Sequence, residues 1–110
     1  MWSKEKIQDW YDDHKWLVGC NYLPSSAINQ LEMFQEDSFD ADTNKREVGW
    51  ARDVGFNSLR IYLHDLLWQD KEIFKKRLNE ILSLCSDHNI KPILVLFDDC
   101  HRPFPKLGKQ

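Results

Sequence analysis

The period of the apolar residues changes twice between Phe56 and Phe97, and few folds accept that order. Leu59, Ile61 and Leu63 alternate with Arg60, Tyr62 and His64. A period of two predicts a strand with two chemically different faces. Asp70 then stands where a helix cap belongs, and Phe74, Leu78, Ile81, Leu82 and Cys85 follow at helical spacing. That pattern predicts a helix over about 71–88, which Asn89 can end in the left-handed conformation. Pro92-Ile93-Leu94-Val95-Leu96-Phe97 is apolar without interruption and closes on Asp98-Asp99. A run apolar on both faces predicts a parallel strand covered on both sides. Strand, helix and strand in this order predict a parallel sheet with right-handed crossovers.

The same logic extends upstream. Ser3 can cap a short helix to about Asp13, with Ile7, Trp10 and Tyr11 on one face. Trp16 to Tyr22 is a short apolar run ended by Pro24-Ser25-Ser26, and reads as a buried strand followed by a loop. Residues 23–41 are mixed and acidic, with Leu31, Met33, Phe34 and Phe39 scattered through them. A long connection of that kind predicts a functional loop or a lid. Asp40 or Asp42 can cap the next helix, which runs to about Val54 with Val48, Ala51 and Val54 toward a core. Gly55 follows as its C-terminal stop. The predicted class is α/β, with strands beginning near residues 17, 58 and 92.

Composition excludes several functions. A chain of 110 residues predicts one small domain. The net charge of −3 provides no basic excess, so nucleic acid is not an expected partner. No run of about 18 apolar residues occurs, so no membrane span is expected. Met1 to Lys6 leads into polar sequence without an apolar core or small-residue cleavage site, so no signal peptide is visible. The default compartment is then the cytoplasm, although a parent whose leader was trimmed would look the same. Cys20, Cys85 and Cys100 are odd in number and widely spaced, which argues against a disulfide framework or a zinc site. Cys85 is expected in a helix core and Cys20 in or beside a strand. Neither GxGxxG, GxxxxGK[ST] nor GxSxG is present, so no cofactor is expected. Asp98-Asp99-Cys100-His101 holds metal-ligand types, but adjacent side chains do not converge on one ion, and no metal is expected.

In α/β proteins chemistry gathers at the carboxyl ends of the strands. Here those ends carry Asn21 and Tyr22, then Arg60, Tyr62 and His64 followed by Trp68, then Asp98 and His101. An arginine inside a strand that faces a core is costly unless paired. Arg60 therefore implies a buried carboxylate partner or a polar cavity, the alternative being a solvated outer face of the sheet.

The segment Asp53-Val54-Gly55-Phe56-Asn57-Ser58-Leu59-Arg60-Ile61 resembles the helix-to-second-strand segment of retaining β-glycoside hydrolases built on a TIM barrel, the clan of cellulases, mannanases, xylanases and β-galactosidases. Gly19 to Tyr22 looks like the first strand of that fold and Ile93 to Asp99 like the third. Ile28 to Phe34 and Leu63 to Trp68 are similar to a bacterial subgroup labelled β-xylanase or cellulase-like. The resemblance implies that residues 1–110 are the N-terminal portion of a (β/α)8 barrel, about three strands with their helices and one preceding short helix. It implies that Arg60 supports a nucleophilic glutamate, and that Asn21, Tyr22, Tyr62, His64, Trp68, Asp98 and His101 line subsites for a β-glycan. Aromatic faces suit sugars because their C–H faces stack on rings.

One departure bears on mechanism. Retaining glycosidases need two carboxylates about 5–5.5 Å apart, and in this clan they end strands four and seven. Neither counterpart occurs here: the six glutamates fall on predicted helices or the first long loop. The isolated chain is therefore expected to be inert. A second reading is a self-contained α/β module that binds a sugar or a protein partner and self-associates through its open sheet edges.

Overall fold

Three parallel strands form one open sheet in the order β1–β2–β3, with β1 at Gly19–Asn21, β2 at Ser58–Tyr62 and β3 at Lys91–Val95. This is the architecture of a computed structural model, which describes residues 1–98 and 103–110. Cys20 pairs with Leu59, Arg60 with both Asn21 and Ile93, and Tyr62 with Val95. The chain is thus α/β with a parallel sheet.

Among the described residues four helices accompany the strands: α1 at Lys4–Asp12, α2 at Gln30–Phe34, α3 at Ala41–Asp53 and α4 at Lys71–Asp87. A 3-10 turn at Asp65–Asp70 leads into α4. The caps expected from the sequence are in place. Ser3 accepts from the Lys6 N–H, Asp40 from Thr43 and Asp70 from Ile73. Gly55 (φ 95°) and Asn89 (φ 54°) leave α3 and α4 in the left-handed region, where a residue without a Cβ, or a short polar one, is least strained.

The alternation in β2 decides where the core lies. Leu59, Ile61 and Leu63 are buried, and with Val48 of α3 and Phe74, Ile81 and Cys85 of α4 they make one cluster. Burying apolar area at about 25 cal/mol per Å² is the main driving force for that arrangement. Asn57 stitches the approach to β1: its Oδ1 accepts from Val18 N at 2.7 Å and its Nδ2 donates to the Trp16 carbonyl at 2.9 Å.

Four expectations are corrected. All three residues of β1 are exposed, although the strand was expected to be buried. In β3 Ile93 is exposed rather than covered. For Gly19, Asn21 and Ile93 the reason is common: the helical cluster lies on the other side of the sheet, and no described residues form a layer on theirs. Cys20 shares the side of Leu59 but lies on the edge strand and is exposed there too. Residues 23–41 are not a lid. They contain α2, whose five residues are all buried, because Leu31, Met33 and Phe34 fill the core beside α4. Val54 is exposed, since α3 ends at Asp53 and the chain has already left the helical path.

Beyond β3 the pairing skips. Leu63 N donates to the Val95 carbonyl and Leu63 O accepts from Asp98 N, both at 3.0 Å. Leu96 and Phe97 between them are looped out and exposed, with Phe97 in the left-handed region at φ 55°.

The one-sided covering shows in the dimensions. The radius of gyration is 15.1 Å, where about 13 Å is usual for this length. The accessible surface of 7714 Å² exceeds by about 1,300 Å² what a monomer of this mass commonly exposes.

Candidate functional site

The site begins with Arg60 in the middle of β2. Strand alternation puts it opposite Leu59 and Ile61, so it emerges on the uncovered side of the sheet and is exposed. A buried carboxylate partner is therefore not what holds it. Its Nε donates to Asn21 Oδ1 at 2.8 Å, and its Nη2 donates to the Tyr62 hydroxyl. The guanidinium also lies 5.1 Å from the centre of the Tyr62 ring, within cation–π range. Sheet register makes this possible, because Asn21 and Arg60 are direct neighbours across β1 and β2.

Beside this cluster, at the carboxyl ends of β1 and β2, a cleft of about 360 Å³ opens. One wall is Asn21, Tyr22 and Leu23, with Tyr62 at the end of β2. The other is the start of α2: Ile28, Asn29, Gln30 and Met33. The volume falls inside the roughly 300–1,000 Å³ of small-molecule sites. No carboxylate or ammonium group is among these lining residues. These lining residues offer hydrogen bonds and apolar contact.

Each wall is fixed from behind. The Tyr22 hydroxyl donates to Asn44 Oδ1 at 2.7 Å, deep in the protein. Burial, and then the nearby Glu47 carboxylate, raise the Tyr22 hydroxyl far above its ordinary pKa, so it stays a neutral donor. Glu47 itself receives the Ser25 N–H and hydroxyl. On the α2 side, Asn29 caps the helix by accepting from Leu31 and Glu32 N–H groups. Gln30 Nε2 donates to the Asp98 carbonyl at 2.7 Å, tying α2 to the end of β3. Glu32 accepts from the N–H groups of Gln110 and Ile28, each at 3.0 Å. The Gln110 N–H, followed by that of Ile28, holds the Glu32 carboxyl below the usual glutamate range. The Gln35 amide pairs reciprocally with the Gly108 peptide, accepting at 2.6 Å and donating at 3.0 Å.

Of the residues expected at the site, the structure brings Asn21, Tyr22, Arg60 and Tyr62 together. Asp98 is not among the lining residues; its backbone carbonyl accepts from Gln30, which is. His64 does not join the site: it is buried past the end of β2, where Nδ1 accepts from Leu66 N at 3.1 Å and lies 2.9 Å from Asp65 Oδ1. Trp68 is in the 3-10 turn, half-exposed, with its ring 6.3 Å from Phe74 and below Lys75. His101 lies outside the described residues, as do Asp99 and Cys100. Ile28, Asn29, Gln30 and Met33 were not anticipated as cleft residues. A signal for them existed: Asn29 followed three residues later by Glu32 is the pattern of a capped helix start.

Among the described residues no three His, Cys, Asp or Glu side chains are placed to hold a metal ion, and no helix is long and apolar enough to cross a membrane. No known protein family, curated protein or solved structure matches the chain.

Proposed function

We propose that this chain is the first part of a TIM-barrel β-glycoside hydrolase and supplies supporting groups rather than the catalytic carboxylates. The observation that carries this reading is the Arg60–Asn21–Tyr62 cluster on the uncovered side of a parallel sheet. In a closed barrel of eight strands that side faces inward, and the carboxyl ends of the strands form the active-site floor. A guanidinium in that position charge-stabilises and orients a carboxylate nucleophile supplied by a later strand. The substrate is a β-linked glycan of the xylan or cellulose kind, cleaved with retention through two carboxylates about 5–5.5 Å apart. Among the acids described here, Glu32 and Glu47 are engaged by backbone and hydroxyl donors. Neither is poised opposite a second carboxylate in the cleft.

Two measurements test this. The purified chain should leave aryl β-xylosides and β-glucosides uncleaved; turnover that disappears in Arg60→Ala would sink the supporting role. Sequencing the gene beyond codon 110 should find a fourth strand ending in Asn-Glu, in frame or after a frameshift. A downstream sequence without further strands in any frame would remove the barrel reading. The self-associating module would then be left, which the extra exposed surface favours.

A further inference from the structure

We infer that the chain forms a two-fold dimer in which α1 of each copy covers the open side of its partner's sheet. The inference does not rest on the glycosidase reading, because it concerns two surfaces that are exposed whichever ligand the cleft takes. The first surface is α1. Ile7, Trp10 and Tyr11 share one face of the helix at i, i+3 and i+4. An apolar stripe of that kind normally lies against a core, yet no residue of α1 is buried. Ile7 is 52% exposed and Tyr11 59%.

The second surface is the side of the sheet opposite the helical cluster. Register makes Asn21, Arg60 and Ile93 cross-strand neighbours there, and all three are exposed. A shallow groove of about 220 Å³ crosses this side, bordered by Leu17, Arg60 and Ile93 and passing Gly19, which has no side chain. Parallel sheets normally bury both faces beneath helices.

The two surfaces match in size and in kind. Nine residues of helix are about 13 Å long, and three strands span about 10 Å. Apolar and aromatic side chains of α1 suit a groove bordered by two aliphatic residues and a guanidinium, because a guanidinium accepts an aromatic ring on its face. A second copy is the occupant because every chain carries both surfaces, so one two-fold operation satisfies both at once. The surface exposed beyond that of a common monomer, about 1,300 Å², exceeds the roughly 800 Å² that each partner brings to a standard interface.

The test mixes ¹³C,¹⁵N-labelled chain with unlabelled chain and reads nuclear Overhauser effects between copies. Ring protons of Tyr11 in one copy should reach the Ile93 methyl groups of the other, and sedimentation equilibrium should give twice the 13.2 kDa of the chain. Ile7→Ser combined with Tyr11→Ser should weaken association about tenfold or more. Its far-UV circular dichroism should match the parent's, since neither side chain is buried. Trp50→Ser, at an exposed aromatic of α3 in the helical layer, should leave association unchanged. A monomer at every concentration would overturn the inference. So would Tyr11-to-Ile93 effects within a single copy, contacts between copies confined to the β1 or β3 edge, or association indifferent to the Ile7 and Tyr11 changes. Each of those results would leave the glycosidase reading standing.

Discussion

Gly19 and Gly49 give opposite answers to the same added methyl group. A Cβ at Gly19 would stand 1.7 Å from the Ser58 carbonyl oxygen, so β1 could not stay in register with β2. At Gly49, inside α3, the nearest atom to an added Cβ is His88 Nε2 at 3.9 Å, ordinary contact. Gly19→Ala should therefore cost about 3 kcal/mol, the upper end for overpacking. Gly49→Ala should gain about 0.5–1 kcal/mol from helix propensity. Urea denaturation of the two variants against the parent checks both signs. At this scale the sequence was partly legible. Alternation correctly set Arg60 on the side opposite Leu59 and Ile61. It did not reveal that Asn21 and Tyr62 hold the guanidinium, because Asn21 is a neighbour only through sheet register. Counting the alternation on to His64 failed for a physical reason. The strand stops at Tyr62, and the chain turns His64 inward to cap the next turn.

The strands and long helices announced themselves through period and caps, whereas α2 did not. Five residues are too few for intrinsic helix stability, since nucleation is unfavourable and propagation barely begins. What holds α2 is tertiary: burial of Leu31, Met33 and Phe34, the Asn29 cap, and the Glu32 carboxylate gripping two N–H groups. Of these only the Asn29-to-Glu32 cap spacing is visible in local sequence; the burial and the Gln110 contact are not, and a mixed acidic stretch reads as loop. The dependence on Glu32 gives α2 a pH signature. Because folding lowers the Glu32 pKa, its contribution is complete above the ordinary glutamate value of about 4.3. It is lost as pH falls through the lower folded value. Asp40 at the start of α3 behaves alike, lowered chiefly by the Thr43 N–H and hydroxyl. Amide exchange at residues 30–35, corrected for its intrinsic pH dependence, should accelerate on acidification below that range. In Glu32→Gln the same amides should be less protected at neutral pH and should lose most of this acid response. Equal acid sensitivity in the variant would show that another group governs α2.

For the whole molecule the order of elements was legible and the coverage was not. The apolar run 92–97 indicates what its side chains require, a layer on each face. The described chain provides one, so Ile93, Leu96 and Phe97 remain exposed. The surplus surface of about 1,300 Å² exceeds the roughly 800 Å² that each partner contributes to a standard interface. Two sheet edges with unpaired backbone groups add to the tendency to associate. Sedimentation velocity should show mass increasing with concentration. Ile93→Lys and Leu96→Lys should shift that equilibrium toward monomer while changing unfolding free energy by about 0.5 kcal/mol or less, as expected of exposed positions. A parent chain that sediments as a monomer at every concentration would contradict this.

The ties on α2 also govern how the chain after β3 can vary. The stretch leaving at Asp98 departs from a bond to Gln30, and at Gly108 and Gln110 it returns to bonds with Gln35, Glu32 and Asn29. Both feet of that excursion stand on one short helix. Closing a loop between fixed feet costs only about 0.6 kcal/mol more for each doubling of its length. Added length between the feet therefore costs little. Here the fold has room for inserted sequence that leaves the two anchor points on α2 undisturbed.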